Sequence, residues 1–120
     1  MDTTTRTREF FDGYRRALLA RDEQALADLY AVPALILFPG RSLPVTDREQ
    51  TAEFFASAFG QYEEVAGMTA EVVVVAQAPH SVWADVTWRH DTLESERFVY
   101  QLLDESGIWR IAVLTPLPVG

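Results

Sequence analysis

The sequence predicts an α+β domain in which three N-terminal helices pack in the concave face of a strongly curved, mainly antiparallel sheet. Two observations carry that prediction. The hydrophobic pattern changes once along the chain, from helical spacing to strand alternation, near Met68. Helices that precede a run of antiparallel strands segregate to one face of the sheet those strands form. Length agrees with this: 120 residues suit one domain spanning 1–120, large enough to bury a core without disulfide or metal staples.

The first helix is expected from about Thr5 to Ala20, because Phe10, Tyr14, Ala17 and Leu18 recur on one helical face. Asp22 is an N-cap for a short second helix whose Leu26, Leu29 and Tyr30 face inward and which Pro33 limits. Ala34 to Phe38 is a short apolar run and reads as a first strand, with Pro39 to Pro44 as the loop after it. Thr46 and Glu49 form a T-x-x-E capping box, so a third helix runs from Asp47 to about Tyr62 and buries Ala52, Phe55, Ala56 and Phe59. Strands follow at Glu71–Gln77, Ser81–Asp91, Glu96–Leu103 and Ile108–Thr115. Pro79-His80 and Asp104-Glu105-Ser106-Gly107 supply turns, and Pro116 and Pro118 end the last strand.

Composition excludes several function classes. Acidic residues outnumber basic ones 18 to 10, every base is an arginine, and the formal net charge is −8. Phosphate binding draws on clustered Lys and Arg, so neither nucleic acid nor an anionic membrane is an expected partner. Arg6, Arg8, Arg15 and Arg16 read as the solvated face of the first helix. There is no cysteine, which removes disulfides, thiol nucleophiles and thiolate metal ligands. The polar opening Met1-Asp2-Thr3-Thr4-Thr5 does not read as a signal peptide, and no stretch approaches the ~18 apolar residues of a membrane span. A cytoplasmic location is expected. The serines lack a G-x-S-x-G context, the glycines form no phosphate-binding fingerprint, and the two histidines lack a carboxylate at ligand spacing. Neither metal nor cofactor is expected.

On the second long strand Val82, Ala84, Val86 and Trp88 share one side, and Trp83, Asp85, Thr87 and Arg89 the other. His90 shares the parity of Trp88, which puts it on the inner face near a strand end. A histidine there suits proton transfer near neutral pH, and the plainer reading is a rim histidine half in solvent. Its neighbour Asp91 points to the opposite face and pairs with it only awkwardly. His80 reads as a surface residue. Asp85, Arg89 and Asp91 read as an interface or a solvated face, or as a catalytic cluster if a bulge inverts the parity. Arg97 and Gln101 alternate with Phe98, Tyr100 and Leu102, and register decides which set looks inward. An outward Trp83 beside Val73 or Val75 would make an apolar patch, for which a homodimer through the outer sheet face is the expected cover.

The order helix, short helix, strand, helix and the final Gly107-Ile108-Trp109-Arg110-Ile111 strand resemble the nuclear-transport-factor-2-like superfamily over nearly the whole chain. That resemblance implies a cystatin-like cone, or α+β barrel, with a partly filled interior. The superfamily includes ketosteroid isomerases, polyketide cyclases and scytalone dehydratase, so the scaffold specifies fold far better than function. Tyr14 to Phe55 resembles the isomerase without gaps. Tyr14 falls at that family's oxyanion-hole tyrosine, Tyr30 at a supporting tyrosine, and Arg48-Glu49-Gln50 at the start of its third helix. Phe38 stands at the general-base aspartate, Phe55 at a third tyrosine, and Val99 approximately at the second, protonated aspartate. A phenyl ring cannot shuttle a proton, so isomerase activity is rejected.

Three readings follow. The first is a small-molecule-binding domain, or a cyclase-, isomerase- or dehydratase-like enzyme on a hydrophobic substrate. Its pocket would be lined by Tyr14, Tyr30, Phe38, Phe55, Phe59, Trp88, His90, Val99 and Leu114, with Tyr14 as hydrogen-bond donor and His90 as proton-transfer group. The second is a non-catalytic homodimeric interaction module whose cavity is filled by aromatics. The third, a subunit supporting another enzyme, rests on fold analogy. A ligand-sized cavity with a polar group at its base separates the first from a cavity plugged by Phe38, Phe55 and Trp88.

Overall fold

The computed structural model describes residues 2–38 and 40–119. Helix α1 (Thr3–Leu19) starts two residues earlier than its apolar periodicity, because the Asp2 side chain accepts a hydrogen bond from the Thr5 amide at 2.7 Å and caps the first turn. Its buried stripe is Thr7, Phe11, Tyr14 and Ala17. Helix α2 (Glu23–Asp28) is capped by Asp22, as expected, and buries Leu26 and Ala27. Tyr30 no longer belongs to it. Strand β1 begins there and runs Tyr30–Phe38, so Pro33 lies inside a strand, where the β1 pairing shifts register between Tyr30 and Leu35. Proline contributes no ladder N–H, and an interrupted ladder accommodates it.

The segment read as a loop is largely a strand. β2 (Arg41–Val45) turns back antiparallel on β1, with Val45 opposite Ala34 and Leu43 opposite Ile36. Pro44 disguises it in the sequence, yet β2 is an edge strand, and an edge tolerates a proline. Gly40, at φ +73, supplies the left-handed residue of the reversal. Pro39, also assigned to that loop, lies outside the described residues.

Helix α3 (Arg48–Ala58) is capped one residue later than the T-x-x-E spacing implies. Asp47 is the N-cap, accepting from the Gln50 amide at 3.1 Å, and the Gln50 side chain accepts in return from the Asp47 amide at 3.1 Å. Aspartate is as good a cap as threonine, and Gln50 closes the box. Ala52 and Phe55 are buried as expected, whereas Ala56 is exposed. The helix tightens into a 3₁₀ turn over Phe59–Tyr62.

Strands β3 (Met68–Ala78), β4 (Ser81–His90), β5 (Glu96–Glu105) and β6 (Ile108–Leu117) complete the sheet. Pro116 continues β6 opposite Phe98, beyond the point where β1 pairing stops at Leu114, so its missing N–H deprives no β1 neighbour. The strand order is β2-β1-β6-β5-β4-β3, and β1 with β6 is the parallel pair. β2 and β3 remain as edges, so the sheet is curved and open, not a closed barrel. Bulges between Val74 and Ala76 and between Gln101 and Leu102 bend β3 and the β5–β6 pair. The core lies between the helices and the inner face, built on Phe11, Leu26, Ile36, Tyr100, Leu102 and Ile111.

Candidate functional site

The inner face follows from register. Val82, Ala84, Val86 and Trp88 are buried on β4, and their β5 partners are Leu102, Tyr100, Phe98 and Glu96. The parity read for β4 therefore holds, and β5 points its even-numbered residues inward. Val99, expected in the pocket, is opposite Asp85 and Thr115 and belongs to the outer face. The resemblance placed it inside only approximately, and a single residue of phase moves a strand side chain through the sheet. Phe98 takes the inner place.

Between α1, α3 and this inner face opens a cavity of about 770 Å³, with Tyr14, Phe38, Phe55, Phe59, Trp88, His90 and Leu114 on its walls. Tyr30 stands behind the wall, where its hydroxyl meets that of Tyr14 at 2.7 Å. Phe38, Phe55 and Trp88 do not plug the space, because each is held against a wall. Phe38 stacks on Phe54 at 5.3 Å between ring centroids. Phe55 packs against Tyr30 at 5.5 Å and edge-on to Tyr14 at 6.3 Å. The Trp88 indole donates to the Tyr100 hydroxyl at 2.9 Å.

One flank of the cavity is polar. Glu96 Oε1 accepts hydrogen bonds from the Tyr62 hydroxyl and from His90 Nε2, both at 2.9 Å. The His90 side chain is only 2% exposed, enclosed and not half in solvent as its place near a strand end implied, whereas the Glu96 side chain is 38% exposed. His90 Nδ1 is buried without a hydrogen-bond partner among the described residues. Tyr62 and His90 thus hold one oxygen of the carboxylate, and the carboxylate is far more accessible than the imidazole. Burial, and then the charge and hydrogen bond of Glu96, keep the Tyr62 phenol protonated far above the ordinary tyrosine range. Burial first, and neighbouring tyrosines second, do the same for Tyr14, Tyr30 and Tyr100.

Glu96 and Tyr62 were not visible in the sequence as site residues. Asp91, the neighbour of His90 in sequence, accepts from the Ala66 and Gly67 amides and does not meet the imidazole. The true partner comes from the next strand. Trp88 is opposite Glu96, so His90 meets Glu96 diagonally, within reach of long side chains. The available signal was the shared inward parity of Glu96 with Phe98 and Tyr100, and it needed the hairpin register to become useful. Outside the cavity, Asp85 binds Arg97 in a two-pronged ion pair and Arg89 meets Glu71, so the outer-face charges are paired and do not converge. His80 is exposed in its turn. Among the described residues no group of three or more His, Asp or Glu converges to hold a metal ion, and no helix is long and apolar enough to cross a membrane.

Helices laid in a curved six-stranded sheet around an open aromatic cavity define the cystatin-like, NTF2-like class of fold. The chain belongs to the family described as NTF2-like protein (DUF6841), whose model matches residues 4–119. No curated protein matches it. Among solved structures it is similar to a domain of unknown function with a cystatin-like fold from Nostoc punctiforme. There the TM-score is 0.76 at 16% identity, covering all of this chain (100%) and 80% of the other. It is also similar to an NTF2-like protein from Cytophaga hutchinsonii, with TM-score 0.75, 14% identity and coverage of 99% and 100%. A third similar structure is a DUF4783 family protein from Bacteroides ovatus, with TM-score 0.67, 18% identity and coverage of 90% and 94%. At these identities the likeness speaks for the fold alone.

Proposed function

We propose that this chain binds a compact, largely apolar small molecule in the cavity between α1, α3 and the inner sheet face. The observation that carries the reading is a space of about 770 Å³ with aromatic walls and one polar flank. Ligand sites are typically concave spaces of roughly 300–1,000 Å³, mostly apolar, with a few placed polar groups. If a proton moves in this site, Glu96 is better placed to meet the ligand than His90, whose imidazole is almost wholly enclosed. Isomerase chemistry of the ketosteroid kind finds no support, since Phe38 on the cavity wall is stacked on Phe54 where that reaction needs a carboxylate. A thermal-shift screen against steroids, polyketide-like aromatics and terpenoids tests the reading. A ligand at a hundredfold excess over its dissociation constant stabilises by about 2.7 kcal/mol. A stabilising ligand whose effect is lost in Ala58→Trp, which narrows the cavity, supports the proposal. Silence across the screen, or a hit indifferent to Ala58→Trp, counts against it.

A second reading rests on the opposite face. Val73 and Val75 on β3 are 58% and 56% exposed, and Trp83 of β4 lies in register with the neighbouring Ala76. Such a patch suits a homodimer through the outer sheet face. Sedimentation across a hundredfold concentration range should then show a dimer that Val73→Asp dissociates. A monomer throughout removes this reading and leaves the cavity untouched.

A further inference from the structure

We infer that Glu96 is the group by which the cavity recognises its ligand, and that the site selects an apolar molecule bearing a hydrogen-bond donor, an amine or a hydroxyl, over one bearing a carboxylate. The inference rests on the cavity being a binding site and adds the chemistry of what enters it. A carboxylate offers about four acceptor positions. Two of those on Glu96 are taken on a single oxygen, Oε1, by Tyr62 and His90. That pair fixes the plane of the carboxylate and leaves Oε2 without a hydrogen-bond partner among the described residues. The side chain is 38% exposed and lies on the cavity wall, and its open acceptor is taken to serve the cavity.

The groups hydrogen-bonded in the Glu96 cluster and beside it have little else to offer an anion. His90 has its Nε2 committed to Glu96 and its Nδ1 enclosed. The Tyr62 hydroxyl is committed to Glu96, and the Trp88 indole N–H to Tyr100. Elsewhere along the cavity the ionisable chains besides the tyrosines are Glu53 on α3 and Arg41 on β2, both exposed and neither hydrogen-bonded to Glu96, so Arg41 does not neutralise the carboxylate through a direct contact. An ammonium or hydroxyl would complete the coordination of Glu96 by a charge-assisted hydrogen bond, while a carboxylate would face a like charge. Tyr62 and His90 act through Glu96 and are positioning residues.

The test uses two matched ligand series, 1-adamantyl and 2-naphthyl, each as methylamine, methanol and carboxylate, titrated calorimetrically into the full chain. The expected order is amine, then alcohol, then carboxylate, with the amine preferred over the carboxylate by roughly 10- to 100-fold. Glu96→Gln keeps a carbonyl that can accept from Tyr62 and His90, and should reduce the amine-to-carboxylate ratio to within about threefold. Tyr62→Phe should lower the same ratio partway, a change that mere loosening of the fold would not produce. Equal binding of the three head groups to the unmodified chain, or an unchanged ratio in Glu96→Gln, overturns the role of Glu96 and leaves the cavity reading standing. Binding of no member of either series removes both. The head-group order in the unmodified chain decides the matter even if a variant fails to fold.

Discussion

Tyr14 and Tyr30 share a buried hydroxyl–hydroxyl hydrogen bond of 2.7 Å, and removing one partner should cost more than removing both. A buried polar group stripped of its partner loses about 1–3 kcal/mol, whereas replacing both partners by apolar groups of the same shape is nearly neutral. The two single variants should also differ. Tyr30 lies behind the cavity wall, so Tyr14→Phe leaves its hydroxyl with nothing to bond, at a cost of about 2 kcal/mol. Tyr14 borders the cavity, so in Tyr30→Phe its hydroxyl can turn to water there, and the cost should be about 1 kcal/mol. At this chain length each kcal/mol moves Tm by about 4 °C. The expected losses are then about 8 °C for Tyr14→Phe, about 4 °C for Tyr30→Phe, and no more than about 4 °C for the double variant. Calorimetric unfolding of the four proteins gives a double-mutant cycle with a coupling of about 2 kcal/mol. If the single losses simply add to within about 0.3 kcal/mol, the hydroxyls are not partners and the placing of Tyr30 behind the cavity wall against Tyr14 is wrong.

All four tyrosines hold their protons above the ordinary value of 10.0 in the folded chain, chiefly through burial. The folded state therefore keeps protons that the unfolded state releases, and stability should fall as pH rises past about 10. Ultraviolet titration should show phenolate emerging together with loss of the far-ultraviolet dichroism, and phenolate at pH 10 in a folded chain would contradict this burial. Asp85 is held below its ordinary 3.8, first by the Arg97 hydrogen bond. That contribution is present above the ordinary carboxylate range and is lost as pH falls through the lowered value. Urea unfolding should find Asp85→Asn less stable than the parent at pH 6, with the gap closing as pH falls below the ordinary carboxylate range. Gly107, at φ +90, closes the β5–β6 turn with open space where a Cβ would lie. Gly107→Ala should therefore cost about 1 kcal/mol through backbone strain alone, measurable as a lower urea midpoint at unchanged slope.

Much of the scaffold was legible in the amino-acid order because it depends on local periodicity. The even-numbered apolar residues of β4 announced which face of that strand is buried, and helical spacing located α1. Asp22 marked the start of α2 through capping chemistry that reaches only three residues along the chain. Where two local signals competed, the reading slipped: Thr46 and Asp47 both cap well, and Pro44 hid a strand that only the edge of a sheet would accept. The family likeness carried the cone and several of its wall residues, yet it misplaced Val99, since one residue of phase reverses a strand side chain. What only the tertiary structure decided is the polar flank. Glu96, His90 and Tyr62 come from β5, β4 and the turn after α3, and no spacing rule links them. Their meeting depends on the register of one hairpin and on where α3 gives way to its 3₁₀ turn. Those are set by how the helices fill the curved sheet, a property of the packed whole that no window of residues contains.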